Sequence, residues 1–280
     1  MLGNITIGQY FPGESPVHRL DPRTKLIITF GFIVLVFLIR SVAGYAAVFL
    51  FIVATAALSR LPVRYLIKGL RPLVYIMLFT FVINLFMTGG EPLVISWGGR
   101  VVPLTWRFLH ITREGVRMSV TMVFRLVFLI LGTQLLTLTT SPLTMADAIE
   151  QLLGPLKRIR FPVHELAMMM TIAMRFIPTL LQETDRIMKA QMSRGADFES
   201  GNIVRRARNM VPLLVPLFVS AFRRADELAL AMESRCYRGG QGRTRMKILA
   251  MTRLDLYAGI AALLLAAAVI ADNVWGGMLL

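Results

Sequence analysis

Two arginines, Arg194 and Arg235, have the setting in this sequence that most suggests a chemical role. Each follows a serine at the end of a helix-like run, in "QMSRGADF" (191–198) and "AMESRCYRG" (231–239), and they stand 41 positions apart (235 − 194). A guanidinium keeps its charge when partly desolvated, and it can donate two parallel hydrogen bonds to one carboxylate. The doubled ending therefore indicates two cationic contacts for acidic grooves on a partner.

Helical spacing gives both endings the same supporting face. An apolar residue, a small residue and the arginine recur at i, i+3 and i+7, as Ile187, Ala190 and Arg194 and again as Leu228, Ala231 and Arg235. A simpler interpretation is that both arginines favour a helix C-terminus, where a cation interacts well with the helix dipole and with solvent.

The composition of the 280 residues predicts a membrane protein. The chain is 56% hydrophobic with mean hydropathy +0.65, whereas an ordinary soluble domain is about 45–50% apolar. A net charge of +15 could serve nucleic acid, but in a membrane chain it favours a basic cytoplasmic face against anionic lipid. One cysteine, Cys236, excludes an internal disulfide and fits the reduced side of a prokaryotic inner membrane.

Apolar runs predict where the chain crosses the bilayer. A spanning helix needs about 20 apolar residues, and five runs qualify: 26–39, 41–59, 72–90, 118–140 and 256–271. The first is short, so we expect Lys25 and Arg40 to snorkel from its ends and the first two spans to form a tight hairpin. Lysine and arginine cluster before the first span and after the second, which predicts a cytoplasmic N-terminus and an external C-terminus.

Two further apolar stretches, 166–174 and 209–222, lie among many charges. Crossing at both would export several arginines, so we expect helices lying along the inner leaflet. Prolines 178, 212 and 216 should break or bend them into several medium-length helices.

The predicted fold is an all-α integral membrane protein with four N-terminal transmembrane helices, a cytoplasmic helical region and one C-terminal transmembrane helix. The boundaries are 1–25 for a cytoplasmic N-terminal segment, 26–140 for spans one to four, 141–253 for the cytoplasmic or interfacial helices with both arginines, and 254–280 for the last span. Asp21 and Arg23 should pin the N-terminal segment.

Sequence motifs for catalysis do not occur in this chain. No GxxxxGK[ST] is present to bind ATP, no HExxH to bind zinc, and no GxSxG to carry a nucleophile. We therefore expect a non-catalytic protein that binds no cofactor or metal of its own.

Several blocks resemble one family, the T component of energy-coupling factor (ECF) transporters, or EcfT/CbiQ family. The chain's opening "GQYFPGESPVHRLDPRTKL" (8–26) resembles that family's opening, and "TTSP" (139–142), "MRFIPTLLQET" (174–184), "KAQMSRGAD" (189–197) and "ADELALAMESRCYRGGQGRT" (225–244) resemble its later blocks.

The resemblance implies a coupling subunit. Two X-Arg-X tips would dock on two cytoplasmic ABC-type ATPases, which hold ATP and magnesium, and a separate substrate-binding S component would be moved for uptake of vitamins or metal ions. The implied contacts are Ser193, Arg194 and Gly195 at one tip and Ser234, Arg235 and Cys236 at the other. Cys236 replaces the usual glycine, and we expect a small buried cysteine there rather than a redox switch.

Two other functions remain open at this point. One is a conventional ABC permease that itself forms the substrate path. The other is a membrane-anchored basic module that binds RNA or lipid head groups, although the expected partners are proteins and the bilayer rather than nucleic acid.

Overall fold

The computed structural model describes residues 10–90, 94–97, 100–103, 105–106, 109–110, 112–159, 161–198, 202–239 and 249–276. The α-helices in these ranges are α1 (Pro22–Leu38), α2 (Val42–Ser59), α3 (Val63–Leu70), α4 (Val74–Met87), α5 (Arg113–Thr139), α6 (Pro142–Leu152), α7 (Val163–Ser193), α8 (Ile203–Ser234) and α9 (Arg253–Gly276). The predicted helical class is confirmed.

Between α4 and α5 the structure adds a feature that the sequence did not indicate. Strand β1 (Val94–Trp97) pairs antiparallel with β2 (Arg100–Pro103), and β3 (Thr105–Trp106) pairs antiparallel with β4 (Leu109–His110). These are two short hairpins, too small to change the fold class.

The described residues form two compact units. The spanning unit comprises residues 10–141 and 249–276, and the helix-pair unit comprises residues 142–239. All helices long and apolar enough to cross a membrane, among the residues described, belong to the spanning unit: Val42–Ser59, Val63–Met87, Arg113–Thr139 and Arg253–Trp275.

Helix α1 is the exception among the five predicted spans. Its 17 residues extend about 25 Å at 1.5 Å per residue, whereas the hydrocarbon core is about 30 Å thick. Lys25 does not snorkel as expected, because it is buried and its Nζ donates to the carbonyl oxygens of Thr139 (2.9 Å) and His18 (3.2 Å). The ammonium thus ties the start of α1 to the end of α5.

Polar contacts also join the starts of α1 and α9. The buried Asp255 carboxylate accepts hydrogen bonds from the Asp21 backbone N–H (2.7 Å) and from the N–H and hydroxyl of Thr252 (2.7 and 2.8 Å). Arg23 donates from Nη2 to the Leu249 carbonyl at 2.9 Å. Asp21 and Arg23 therefore hold the start of α1 against the segment that begins α9.

The core of the spanning unit lies where α1, α2, α5 and α9 meet. Val36 and Val48 are fully buried there, with Phe128 nearly so. Large apolar side chains on the outer faces are exposed, such as Phe30 and Leu263. Apolar outer faces around an apolar core are typical of helices solvated by lipid.

In the helix-pair unit, α7 runs unbroken for 31 residues and α8 for 32. They contain Pro178, Pro212 and Pro216 in their interiors, so the expected division into several medium helices was wrong. An internal proline removes one backbone hydrogen bond and crowds the preceding turn, at about 3 kcal/mol. The many remaining bonds of a helix this long, and the packing between the two helices, outweigh that cost.

Candidate functional site

The backbone after α7 turns in a defined way. Helix α7 ends at Ser193, the N–H of Gly195 donates to the Met192 carbonyl (2.9 Å), and the N–H of Ala196 donates to the Gln191 carbonyl (3.0 Å). Gly195 has φ +86°, in the left-handed region. This pair of bonds is the Schellman motif, which satisfies the last carbonyls of a helix. We call residues 193–195 the first tip.

The end of α8 has the same backbone geometry, 41 positions later. Helix α8 ends at Ser234, the N–H of Cys236 donates to the Glu233 carbonyl (2.8 Å), and the N–H of Tyr237 donates to the Met232 carbonyl (3.0 Å). Residues 234–236 are the second tip. The doubled sequence ending is thus a doubled helix cap.

Cys236 differs from expectation in one respect. It was expected to be buried, yet its side chain is exposed. Its backbone has φ +56°, so it occupies the left-handed position that Gly195 occupies at the first tip. A cysteine there carries a backbone strain that glycine lacks, of about 1 kcal/mol. The cap geometry therefore persists without glycine.

The side chains of the two tips also match in burial. Arg194 and Arg235 are exposed, the supporting residues Ile187 and Leu228 are half-buried, and Ala190 and Ala231 are exposed. The serine hydroxyls turn back to their own helices: Ser193 Oγ donates to the Lys189 carbonyl and Ser234 Oγ to the Ala231 carbonyl, both at 3.0 Å. Both guanidinium groups are therefore presented outward from a rigid helix end.

One correspondence between the two helices fails. Asp185 lies 2.6 Å from the Lys189 ammonium, and that hydrogen bond lowers the pKa of its carboxyl. Asp226 holds the matching position on α8, but the residue four positions later is Leu230 instead of a lysine. The repeat is thus confined to the tip and its supporting face.

The two tips lie at opposite ends of the helix pair. Glu183 faces Arg224 (Oε2 to Nη2, 3.5 Å), and Gln191 Nε2 lies 3.5 Å from the Pro212 carbonyl. Position numbers rise along α7 as they fall along α8, so the helices are antiparallel. From Pro212, level with the first tip, α8 continues about 22 residues to Ser234, or about 33 Å. The tips cannot share one small groove.

Each tip is fastened to a neighbouring segment by a different set of side chains. After the first tip, Asn209 Nδ2 donates to the Asp197 carbonyl at 2.6 Å. After the second tip, Tyr237 Oη lies 3.4 Å from His164 Nε2, and His164 Nδ1 lies 3.2 Å from the buried Glu150 carboxylate on α6. The sequence gives no local signal for the second set, because its members meet only once α7 and α8 pair.

Comparison with known proteins points to one family. Residues 13–247 match the family described as CbiQ, cobalt transport protein. The energy-coupling factor transporter transmembrane protein EcfT of Thermosediminibacter oceani is 59% identical over 265 residues, covering 95% of this chain and 96% of that protein.

Other relatives carry the same name. EcfT of Clostridium kluyveri is 53% identical over 279 residues, covering 99% of this chain and 100% of that protein. EcfT of Bacillus subtilis is 49% identical over 267 residues, covering 95% and 97%. The likeness therefore extends through both units.

Proposed function

Because the chain belongs to the EcfT/CbiQ family, the transmembrane T components of energy-coupling factor transporters, we propose that its two tips each bind one cytoplasmic ATPase. In this proposal ATP and magnesium are held by the ATPases, and this chain is a non-catalytic subunit. It transmits their motion to a separate substrate-binding S component that imports a vitamin or a metal ion.

The observation that carries the proposal is the repeated presentation of arginine. Arg194 and Arg235 are exposed beside identical Schellman caps, on helix ends separated by about 33 Å. A chance C-terminal arginine would not require the same cap, the same half-buried support and the same exposure twice. Two separated, equivalent cations fit two acidic partner subunits that are identical or homologous to each other.

An apolar face of α8 supports a second partner. Val211, Val215, Phe218 and Phe222 recur at helical spacing and are exposed, with Phe222 at 69%. A stripe of four exposed apolar side chains on a charged helix is typical of a surface that another protein or lipid covers. We assign it to the S component, together with the exposed methionines 169 and 170 of α7, whose flexible side chains can adapt to different partner surfaces.

The proposed orientation of the chain rests on its basic residues and on α1. With α1 crossing, the five spans put the N-terminus in the cytoplasm and the C-terminus outside; without it, the four longer helices put both termini on the same side. We propose the five-span topology in an inner membrane. An alkaline phosphatase fused after residue 280 should be active, and an inactive fusion whose green fluorescent protein counterpart fluoresces would contradict it.

Co-purification tests the ATPase contact. The chain is expressed with the ATPases and S component from its genomic neighbourhood, and ATPase recovery in detergent is measured for Arg194→Glu with Arg235→Glu. Each reversal places a carboxylate against the acidic groove, so recovery should fall at least about a hundredfold. The chain should remain in the membrane fraction.

A matched control separates charge from contact. Arg186→Glu with Arg223→Glu makes the same charge change at exposed positions on the same helices, away from the tips, and should keep ATPase recovery near wild type. Equal recovery with the tip variant and the control variant would overturn the proposed contact.

A further inference from the structure

A cleft of about 450 Å³ opens in the spanning unit between α1, α2, α5 and α9. Each helix contributes about two turns to its wall, from Lys25 to Phe32 on α1 and from Gly132 to Thr139 on α5. Seven residues of helix extend about 10 Å. The cleft therefore covers about two-thirds of the roughly 15 Å of hydrocarbon in one leaflet.

The wall of the cleft is mostly apolar, and three of its polar side chains have partners within the protein. Lys25 Nζ donates to two carbonyls, as described above. The Thr55 hydroxyl donates to the Phe51 carbonyl, and the Thr139 hydroxyl donates to the Leu135 carbonyl, both at 2.7 Å. Water needs two to four polar partners to be held in a cavity, so this wall favours a hydrocarbon occupant over a water cluster.

Close packing defines the inner end of the cleft. Gly132 lies against the Phe32 ring, where an added Cβ would be 2.6 Å from the ring carbon Cε1. The cleft cannot deepen past this contact without moving the ring. The opposite, outer end of the cleft is its mouth, which is lined by Leu20, Leu58 and Leu254 at the basic end of the unit.

Three arginines lie close in sequence to the leucines at that end. Arg19, Arg60 and Arg253 stand next to or two positions from the lining leucines, and all three are exposed. Arg19 has one acidic neighbour, Glu14, at 3.7 Å, but its side chain is still 65% exposed. The two nearby aspartates, Asp21 and Asp255, are buried and accept hydrogen bonds at the helix starts. The rim is therefore cationic.

We propose that this cleft binds one anionic phospholipid, with an acyl chain in the apolar part and the phosphate against the rim arginines. The chemistry matches at both ends: a carbon-lined slot for hydrocarbon, and cations at the level where a head group would lie. The orientation proposed above puts the rim in the inner leaflet, where anionic lipids attract basic residues.

Native mass spectrometry of the full chain with its ATPases tests the site. After delipidation, phosphatidylglycerol or phosphatidylcholine with identical chains, or free oleate, is added, and the fraction of protein with one retained lipid is measured. Wild type should retain phosphatidylglycerol at least about fivefold more than the other two, because it combines two acyl chains with a net negative phosphate head group, whereas phosphatidylcholine is zwitterionic and oleate carries no phosphate.

Filling the slot should remove binding. Ala258→Phe on α9 and Thr55→Phe on α2 enter from different helices, and each should lower retention of phosphatidylglycerol about tenfold. Ala267→Phe adds the same ring on an exposed part of α9 outside the lining and should bind as wild type does. Agreement between the two filling variants, with the ATPases still attached, excludes misfolding as the cause.

Removing the rim charges should remove the head-group preference. Arg19→Gln, Arg60→Gln and Arg253→Gln together should equalise retention of phosphatidylglycerol and phosphatidylcholine. Unchanged retention in both filling variants would overturn the proposal. So would equal retention of the two lipids by wild type, or displacement of the lipid when the S component is added, which would make the S component the occupant.

Discussion

The two helix ends at Ser193 and Ser234 share a backbone conformation but differ in the residues that follow. The first tip has Gly195 in the left-handed position, and its loop is held by Asn209. The second tip has Cys236 in that position, followed by Tyr237, whose hydroxyl reaches His164. One end is shaped by a glycine and a loop contact, the other by a strained residue with an aromatic anchor.

This difference indicates what is held constant in the molecule. Neither the capping residue nor the fastening is repeated, but the exposed arginine and its rigid support are. The left-handed residue is a glycine at the first tip and a cysteine at the second, and a different side chain holds the segment that follows each turn. The presentation of a guanidinium is therefore the shared property, reached by two local solutions.

Reversing the charge of one arginine at a time should give the largest effect among the tests of this equivalence. Arg194→Glu and Arg235→Glu should each lower ATPase recovery about tenfold, because either change leaves one of two linked attachments. The two values, measured by co-purification, should agree within about a factor of three. If one single variant behaves as wild type and the other as the double variant, only one tip is a contact.

Exchanging the turn residues should have a smaller effect, on stability. Gly195 has φ +86° with open space around a would-be Cβ, so Gly195→Ala costs only backbone strain, about 1 kcal/mol. Cys236→Gly removes that strain and should raise the free energy of unfolding by up to about 1 kcal/mol. Thermal unfolding of the purified chain measures both. The two substitutions should change the free energy of unfolding in opposite directions, which would sharpen the comparison. A destabilising Cys236→Gly would contradict it.

Removing the anchors should have the smallest effect. Tyr237→Phe deletes a long hydrogen bond at 3.4 Å and should cost about 0.5 kcal/mol, whereas Asn209→Ala deletes one at 2.6 Å and should cost about 1 kcal/mol. Hydrogen exchange should then increase at the start of α7 in the first variant and around residue 197 in the second. Exchange that rises at the same residues in both variants would show that the tips are not fastened separately.

Much of the site's local structure could be predicted from sequence, because the signals are local. The Ser-Arg endings correctly marked where α7 and α8 stop, and apolar runs with at most one charge correctly marked the spans that became α2, α4, α5 and α9. A helix end depends on a few adjacent residues, and a span depends on a continuous apolar run.

Other features depend on contacts that no short pattern contains. The antiparallel pairing of α7 and α8 rests on pairs such as Glu183 with Arg224, and the continuity through Pro212 rests on the packing of the whole helix. Lys25 was expected to reach outward from a short span, but the carbonyl of Thr139, 114 positions away in sequence, holds it inside. The expectation that proline breaks a helix and the expectation that a terminal lysine snorkels both describe isolated helices.

Site-directed photocrosslinking tests the central claim most directly. A benzophenone amino acid is placed at position 194 or 235 of the full chain, coexpressed with its ATPases and S component, with positions 186 and 227, eight residues before each arginine, as the matched control pair. Both tip positions should crosslink to ATPase chains and the control positions should not. Crosslinks from either tip to the S component or to lipid alone, with none to an ATPase, would contradict the account.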